Sequence, residues 1–143
     1  MKKYSMWLKV AALMQLIAAV LHAVTLFINL PPANDTEKQL FTLMDTYRFD
    51  FGAGFHRTMG QLLLALSSCF CLVCLLGSLL NWHLIRKKVD AKIMRGVINI
   101  NLIVFGILLL LTIAFAFLVP ITLAGLIVIF LAVARVKLNK ADQ

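Results

Sequence analysis

Four long apolar stretches occupy most of the chain, at about 7–30, 59–82, 97–118 and 120–136. The charged residues lie almost entirely between them. The last two stretches share an uncharged tract that, at about 1.5 Å per helical residue, is too long for one crossing of a roughly 30 Å hydrocarbon core. A break just before Pro120 is expected, because proline fits the first turn of a helix. The pattern predicts an all-α fold: one domain, 1–143, forming an integral membrane four-helix bundle.

The outer segment 31–56 between the first two spans has a helical pattern of its own. Pro31 and Pro32 end the first span, and Asn34 with Glu37 three residues later has the spacing of a capping box. Apolar residues then recur at i, i+3, i+4 and i+7, namely Leu40, Leu43, Met44 and Tyr47. We therefore expect a short amphipathic helix from about Asp35 to Arg48. An aromatic, flexible return into the second span should follow, with Phe49, Phe51 and Phe55 around Gly52 and Gly54.

Composition and charge agree with a membrane location. Hydrophobic residues make up 62% of the chain and the mean hydropathy is +0.96, whereas soluble domains are about half apolar. The net charge of +8 is concentrated near both termini and in the loop 84–95. Because positive flanks stay on the cytoplasmic side, both termini and this loop should be cytoplasmic. The basic clusters then serve topology, and no nucleic-acid partner is expected. A re-entrant hairpin in place of the fourth crossing would give the same charge distribution.

Three polar residues of the first span, Gln15, His22 and Asn29, recur at intervals of seven and therefore share one side of a helix. Polar side chains in hydrocarbon need partners, so the stripe is expected to face other helices. It either holds the bundle together by hydrogen bonds, or it presents His22 as a proton carrier or ligand. In the second case Gln15, His22 and Asn29 would line an outer-half cavity with His56 and Gln61. A quinone, haem or lipid would suit such a cavity, although a depth mismatch of about 10 Å disfavours two histidines on one haem.

The second span contains three cysteines, two of which, Cys71 and Cys74, have CxxC spacing. A continuous seam of small or weakly polar residues includes them: Gly60, Ser67, Cys71, Cys74, Ser78 and Asn81. Such seams let membrane helices approach closely, and three thiols on one helix do not complete a tetrahedral metal site. We therefore interpret the cysteines as packing residues and expect no metal. On the third span, Asn99 and Asn101 are expected to bond to the basic loop or to the second span.

The four-span layout, the helical outer segment, the Leu21-His22 element and the aromatic, glycine-rich approach to the second span resemble the small bacterial membrane proteins of DoxX-like size and layout. The resemblance covers the whole chain and implies a bacterial inner membrane. It carries no functional residue over to this sequence.

No carboxylate lies inside a predicted span, and the sequence contains no phosphate-binding loop and no HExxH motif. We therefore expect a non-enzymatic accessory or scaffold subunit without a cofactor, which packs with itself as a homo-oligomer or with a larger membrane complex. The alternative is a protein that binds a small hydrophobic ligand around His22. A transporter ranks third, since few titratable groups lie within the membrane.

Overall fold

The computed structural model describes residues 3–28 and 31–140. In these residues the chain forms five α-helices and one two-stranded hairpin: α1 (Lys3–Thr25), α2 (Asp35–Thr46), β1 (Arg48–Asp50), β2 (His56–Thr58), α3 (Met59–Arg86), α4 (Ala91–Phe115) and α5 (Leu118–Asn139). Four of the described helices, α1, α3, α4 and α5, are long and apolar enough to cross a membrane. The prediction of a helical protein with four helices of membrane length is confirmed.

The chain divides into two compact units. One, called here the bundle unit, consists of Met1–Ala19 and Val73–Gln143. The other, called the hairpin unit, consists of Val20–Leu72. Helices α1 and α3 each contribute to both units, whereas α4 and α5 belong to the bundle unit alone.

The core of the bundle unit is built from one buried side of each helix. On α5 the buried residues follow alternating spacings of three and four, at Ala124, Ile127, Leu131, Ala134 and Leu138. This spacing keeps a seam on one side of a helix. Opposite sides of the same helices carry large exposed apolar residues, such as Leu76 and Leu110. Apolar residues on both sides are typical of helices that contact lipid.

The uncharged tract breaks where it was predicted to. Helix α4 ends at Phe115, and α5 begins at Leu118 with Phe117 as its N-cap, so that Pro120 lies in the first turn. Proline is tolerated there because the first amides of a helix have no intrahelical acceptor. Helix α5 continues to Asn139 and is longer than the predicted fourth span, 120–136.

Other helix ends differ from the predicted spans. Helix α1 ends at Thr25 instead of near residue 30, because the amides of the next three residues, Leu26, Phe27 and Ile28, bond three residues back instead of four. Helix α3 continues to Arg86, and α4 begins at Ala91. The predicted loop 84–95 is therefore mostly helical, with a short connection at 87–90.

The predicted amphipathic helix is present in the hairpin unit as α2. The side chain of Asn34 accepts a hydrogen bond from the Glu37 amide at 2.9 Å, and the Glu37 carboxylate accepts one from the amide of Ala33. The first bond is that of a capping box, whereas the second goes to the residue before the N-cap instead of to the N-cap amide. The helix ends at Thr46, where Tyr47 turns to an extended backbone. None of its residues is buried.

The aromatic, glycine-containing return that follows α2 forms an antiparallel hairpin. Strand β1 pairs with β2 so that Arg48 lies opposite Thr58 and Asp50 opposite His56. The turn has positive φ at Gly52, Ala53 and Gly54, and the Asp50 carboxylate accepts a 2.8 Å hydrogen bond from the Gly52 amide. Glycines supply the left-handed backbone that such a turn needs. The two short strands are a feature that the sequence pattern did not predict.

Candidate functional site

Three carboxamide side chains meet inside the bundle unit, one from each of three helices. Gln15 of α1 donates from Nε2 to Oδ1 of Asn101 on α4 at 3.1 Å. Asn81 of α3 donates from Nδ2 to Oε1 of Gln15 at 3.0 Å and to Oδ1 of Asn101 at 3.3 Å. Gln15 and Asn81 are fully buried, and Asn101 is 5% exposed. We call these three residues the amide cluster.

The surroundings of the amide cluster fix its geometry. Nδ2 of Asn101 also donates to the carbonyl of Val97, one turn earlier on α4. Gly77 lies one turn before Asn81 on α3, and a Cβ atom there would be 2.9 Å from Nε2 of Gln15 and 3.1 Å from the Phe105 ring. The absence of a side chain at Gly77 therefore makes room for Gln15. The cluster contains no titratable group, so its chemistry is that of hydrogen bonding between helices.

The predicted polar stripe on α1 is divided between two environments. Gln15 lies in the amide cluster, Asn29 is outside the described residues, and His22 belongs to the hairpin unit. The His22 ring packs edge-on against Phe70 of α3, with ring centroids 4.7 Å apart, and is partly exposed. No hydrogen bond joins its imidazole nitrogens to any other residue in the described part of the chain.

His56 and Gln61 have local partners in the hairpin unit. His56 is exposed on β2, and its Nδ1 lies 4.0 Å from Oδ1 of Asp50. Gln61 closes a capping box at the start of α3: its Oε1 accepts from the Thr58 amide at 3.1 Å, and its own amide donates to the Thr58 hydroxyl at 3.3 Å. The Thr-x-x-Gln sequence was a signal for this role that the sequence analysis missed. A shared ligand cavity of Gln15, His22, Asn29, His56 and Gln61 stays a prediction.

The small-residue seam of α3 contains three of the helix's four buried residues, and the fourth is Gly77. Cys74, Ser78 and Asn81 are buried, Ser67 and Cys71 are partly buried, and Cys69, which lies off the seam, is exposed. At Gly60 a Cβ atom would lie 2.6 Å from Oδ1 of Asp45, within the hairpin unit. In the described residues no group of three or more His, Cys, Asp or Glu side chains is placed to hold a metal ion.

Helix α4 carries a second set of small and polar residues, of which Gly96 and Asn99 are exposed and Gly106 is partly buried. Gly96, Asn99 and Gly106 fall within one side of the helix, and a Cβ atom at either glycine would meet no other atom within 4 Å. Asn99 is exposed, and its Oδ1 accepts a 2.6 Å hydrogen bond from Nε of Arg135 on α5. We call Gly96, Asn99 and Gly106 the open glycine face.

No family model, curated protein or solved structure matches this chain. The resemblance to DoxX-like proteins stays a prediction.

Proposed function

We propose that this chain is an integral membrane protein that acts as a non-enzymatic accessory or scaffold subunit. In this proposal it assembles with a second copy, or with a subunit of a larger membrane complex, through the open glycine face of α4. The observation that carries the proposal is a contrast between glycines. A Cβ atom added at Gly77 would touch side chains of the same chain, whereas one added at Gly96 or Gly106 would have no neighbouring atom within 4 Å.

The physics of helix association in lipid supports this assignment. Lipid tails are as apolar as leucine, so membrane helices associate mainly by close packing and hydrogen bonds. Gly96 and Gly106 would allow another backbone to approach α4, and Asn99 between them supplies polar atoms at the contact. The interior amides bond to one another in the amide cluster, although Oδ1 of Asn81 accepts no hydrogen bond from the described residues. The outer surface of the bundle unit is the part left for a partner.

Substitution of the open glycines tests the proposal. Gly106→Leu should keep its fold, because a Cβ atom at this position meets no other atom within 4 Å. It should lower the association of differently labelled copies in vesicles, measured by energy transfer. Ala65→Leu is the matched control, since Ala65 is exposed and the leucine is placed on a different helix, α3. A wild-type protein that is a monodisperse monomer in mild detergent, with no co-purifying partner, would contradict the proposal.

The proposed location is the inner membrane of a bacterium, with both termini and the connection between α3 and α4 in the cytoplasm. The support is the charge distribution: Arg86, Lys87, Lys88, Lys92 and Arg95 cluster around that connection, and positive residues are retained inside. A C-terminal fusion to green fluorescent protein should fluoresce, and a C-terminal alkaline phosphatase fusion should be inactive. The reverse result would overturn this orientation.

A second candidate function is the binding of a small hydrophobic ligand, a quinone, haem or lipid, beside His22. The observation that favours it is the partly exposed imidazole against Phe70, without a hydrogen bond to the described residues. An intramembrane ionisable side chain is a functional candidate by default. The purified protein should then carry an absorbing or extractable ligand that His22→Ala loses and His83→Ala keeps. A colourless preparation with no extractable ligand in the wild type would exclude this function.

A further inference from the structure

A cleft opens at the basic end of the bundle unit, between the start of α1 and the connection from α3 to α4. Its volume is about 410 Å³, within the range of roughly 300–1,000 Å³ that small-ligand sites occupy. The polar part of its lining comes from Tyr4, Ser5, Lys9 and Lys88. Both charged residues of the lining are thus lysines, and the two hydroxyl groups add donors for an anion.

The remaining lining is apolar and comes from the end of α3, the connection and the start of α4. Leu84, Val89 and Met94 line the cleft together with Ile85. Met94 is almost completely buried, so the apolar part of the lining continues into the core. A ligand that matches this cleft has an anionic group beside the lysines and an apolar portion beside these side chains.

Lys88 is held in place by an unusual helix end. The amide of Val89 donates to the carbonyl of Leu84 at 3.4 Å, and the amide of Lys88 donates to that of Ile85 at 3.2 Å. These two bonds form a Schellman motif, in which the left-handed residue is usually glycine. Here that residue is Lys88, with φ of +50°. A side chain in this conformation is strained, and strained residues of this kind cluster at functional sites.

We infer that this cleft binds the phosphate group of an anionic phospholipid between Lys9 and Lys88, with the start of an acyl chain against Leu84, Val89 and Met94. Basic pockets between membrane helices recognise such headgroups. Free phosphate shares the anionic chemistry but has nothing to place against the apolar side chains, so the lining favours the lipid. The inference rests on the proposed insertion in a membrane, and it is independent of assembly through the open glycine face.

The experiment compares lipids and anions added to the full-length protein in a neutral detergent. Phosphatidylglycerol should raise the midpoint of thermal unfolding, whereas phosphatidylcholine and inorganic phosphate at equal concentration should not. Native mass spectrometry should show phosphatidylglycerol bound roughly five-fold more weakly in Lys9→Gln and in Lys88→Gly, as expected for the loss of one juxtamembrane lysine. Lys92→Gln is the control, since Lys92 is exposed on α4 and does not line the cleft.

Lys88→Gly separates binding from folding. Glycine relieves the left-handed backbone, so the lipid-free variant should unfold at a temperature no lower than the wild type while its lipid affinity falls. Equal weakening in Lys92→Gln would overturn the assignment to this cleft, and stabilisation by inorganic phosphate alone would overturn the assignment to a lipid. A protein that sediments with membranes but prefers no lipid would refute only this inference, whereas a chain that does not partition into membranes would also refute the proposed function.

Discussion

Gln15 and Asn101 lie 86 positions apart in the sequence, yet a 3.1 Å hydrogen bond joins their side chains inside the bundle unit. Asn81 bonds to both of them, so the amide cluster links α1, α3 and α4. A buried amide that is hydrogen-bonded specifies which helix faces meet, because any other arrangement leaves polar atoms without partners. We regard the amide cluster as the feature that sets the register of these three helices.

Replacement of Gln15 by leucine should therefore destabilise the protein. The change keeps a similar volume, but it removes the partner of Asn81 and Asn101 and leaves buried polar atoms unsatisfied. The expected cost is about 1–3 kcal/mol in the free energy of unfolding. Unfolding in mixed detergent micelles, followed by circular dichroism, measures it. Gln39→Leu makes the same change at an exposed position of α2 and should be nearly neutral. Equal stability of the two variants would contradict a structural role for Gln15.

Substitution of Gly77 by alanine should also destabilise, for a steric reason. The added methyl group would lie 2.9 Å from Nε2 of Gln15 and 3.1 Å from the Phe105 ring, and overpacking of this kind costs about 1–3 kcal/mol. At Gly125 the same atom would have only an ordinary contact, 4.0 Å from Leu109. Gly125→Ala should therefore be neutral or slightly stabilising, since alanine favours a helix. The same unfolding measurement distinguishes them, and a Gly77→Ala variant as stable as Gly125→Ala would refute the close approach.

The sequence predicted the features that depend on local chemistry. Apolar length and the position of Pro120 are enough to place the four long helices and the break between α4 and α5. The capping of α2 also follows from side chains only three residues apart, Asn34 and Glu37. In each case the residues that decide the structure are neighbours in sequence, so a periodic or spacing rule can detect them.

The partners of polar side chains were predictable only in part. The bond from Asn81 to Asn101 confirms the expected link between the third and second spans, but Asn99 bonds to Arg135 of α5 instead. The seven-residue spacing predicted a shared site for Gln15 and His22, because it shows which residues lie on the same side of one helix. It does not show which residues of the other helices they contact. The missed signal is depth: Gln15, Asn81 and Asn101 each lie five or six residues from the nearest basic residue of their own helix, which is Lys9, Arg86 and Arg95 respectively. One amide on each of three spans at one depth predicts a cluster.

The cap of α2 gives a prediction for the hairpin unit. Asn34→Ala should destabilise the first turn of α2 by about 0.5–2 kcal/mol, because the Glu37 amide loses its 2.9 Å acceptor. Asn34→Asp keeps an oxygen acceptor and should preserve the turn. Hydrogen exchange at the Glu37 amide, read by nuclear magnetic resonance or mass spectrometry, should become faster in the alanine variant only. Faster exchange in both variants, or in neither, would contradict this cap.

Substitution of the cysteines of α3 distinguishes a role in helix packing from a role in metal binding or other thiol chemistry. Cys74 is fully buried, Cys71 is partly buried, and both lie on the seam of small residues. If they serve packing, the double variant Cys71→Ala, Cys74→Ala should change the free energy of unfolding by only about 1–2 kcal/mol, since alanine is also small and the cavity left is slight. Cys69→Ala, at an exposed position, should be neutral. Two results would contradict a packing role: loss of the fold in the double variant, or a metal that elemental mass spectrometry detects in the wild type and not in the variant. Either result would show that the thiols have a chemical role beyond helix packing.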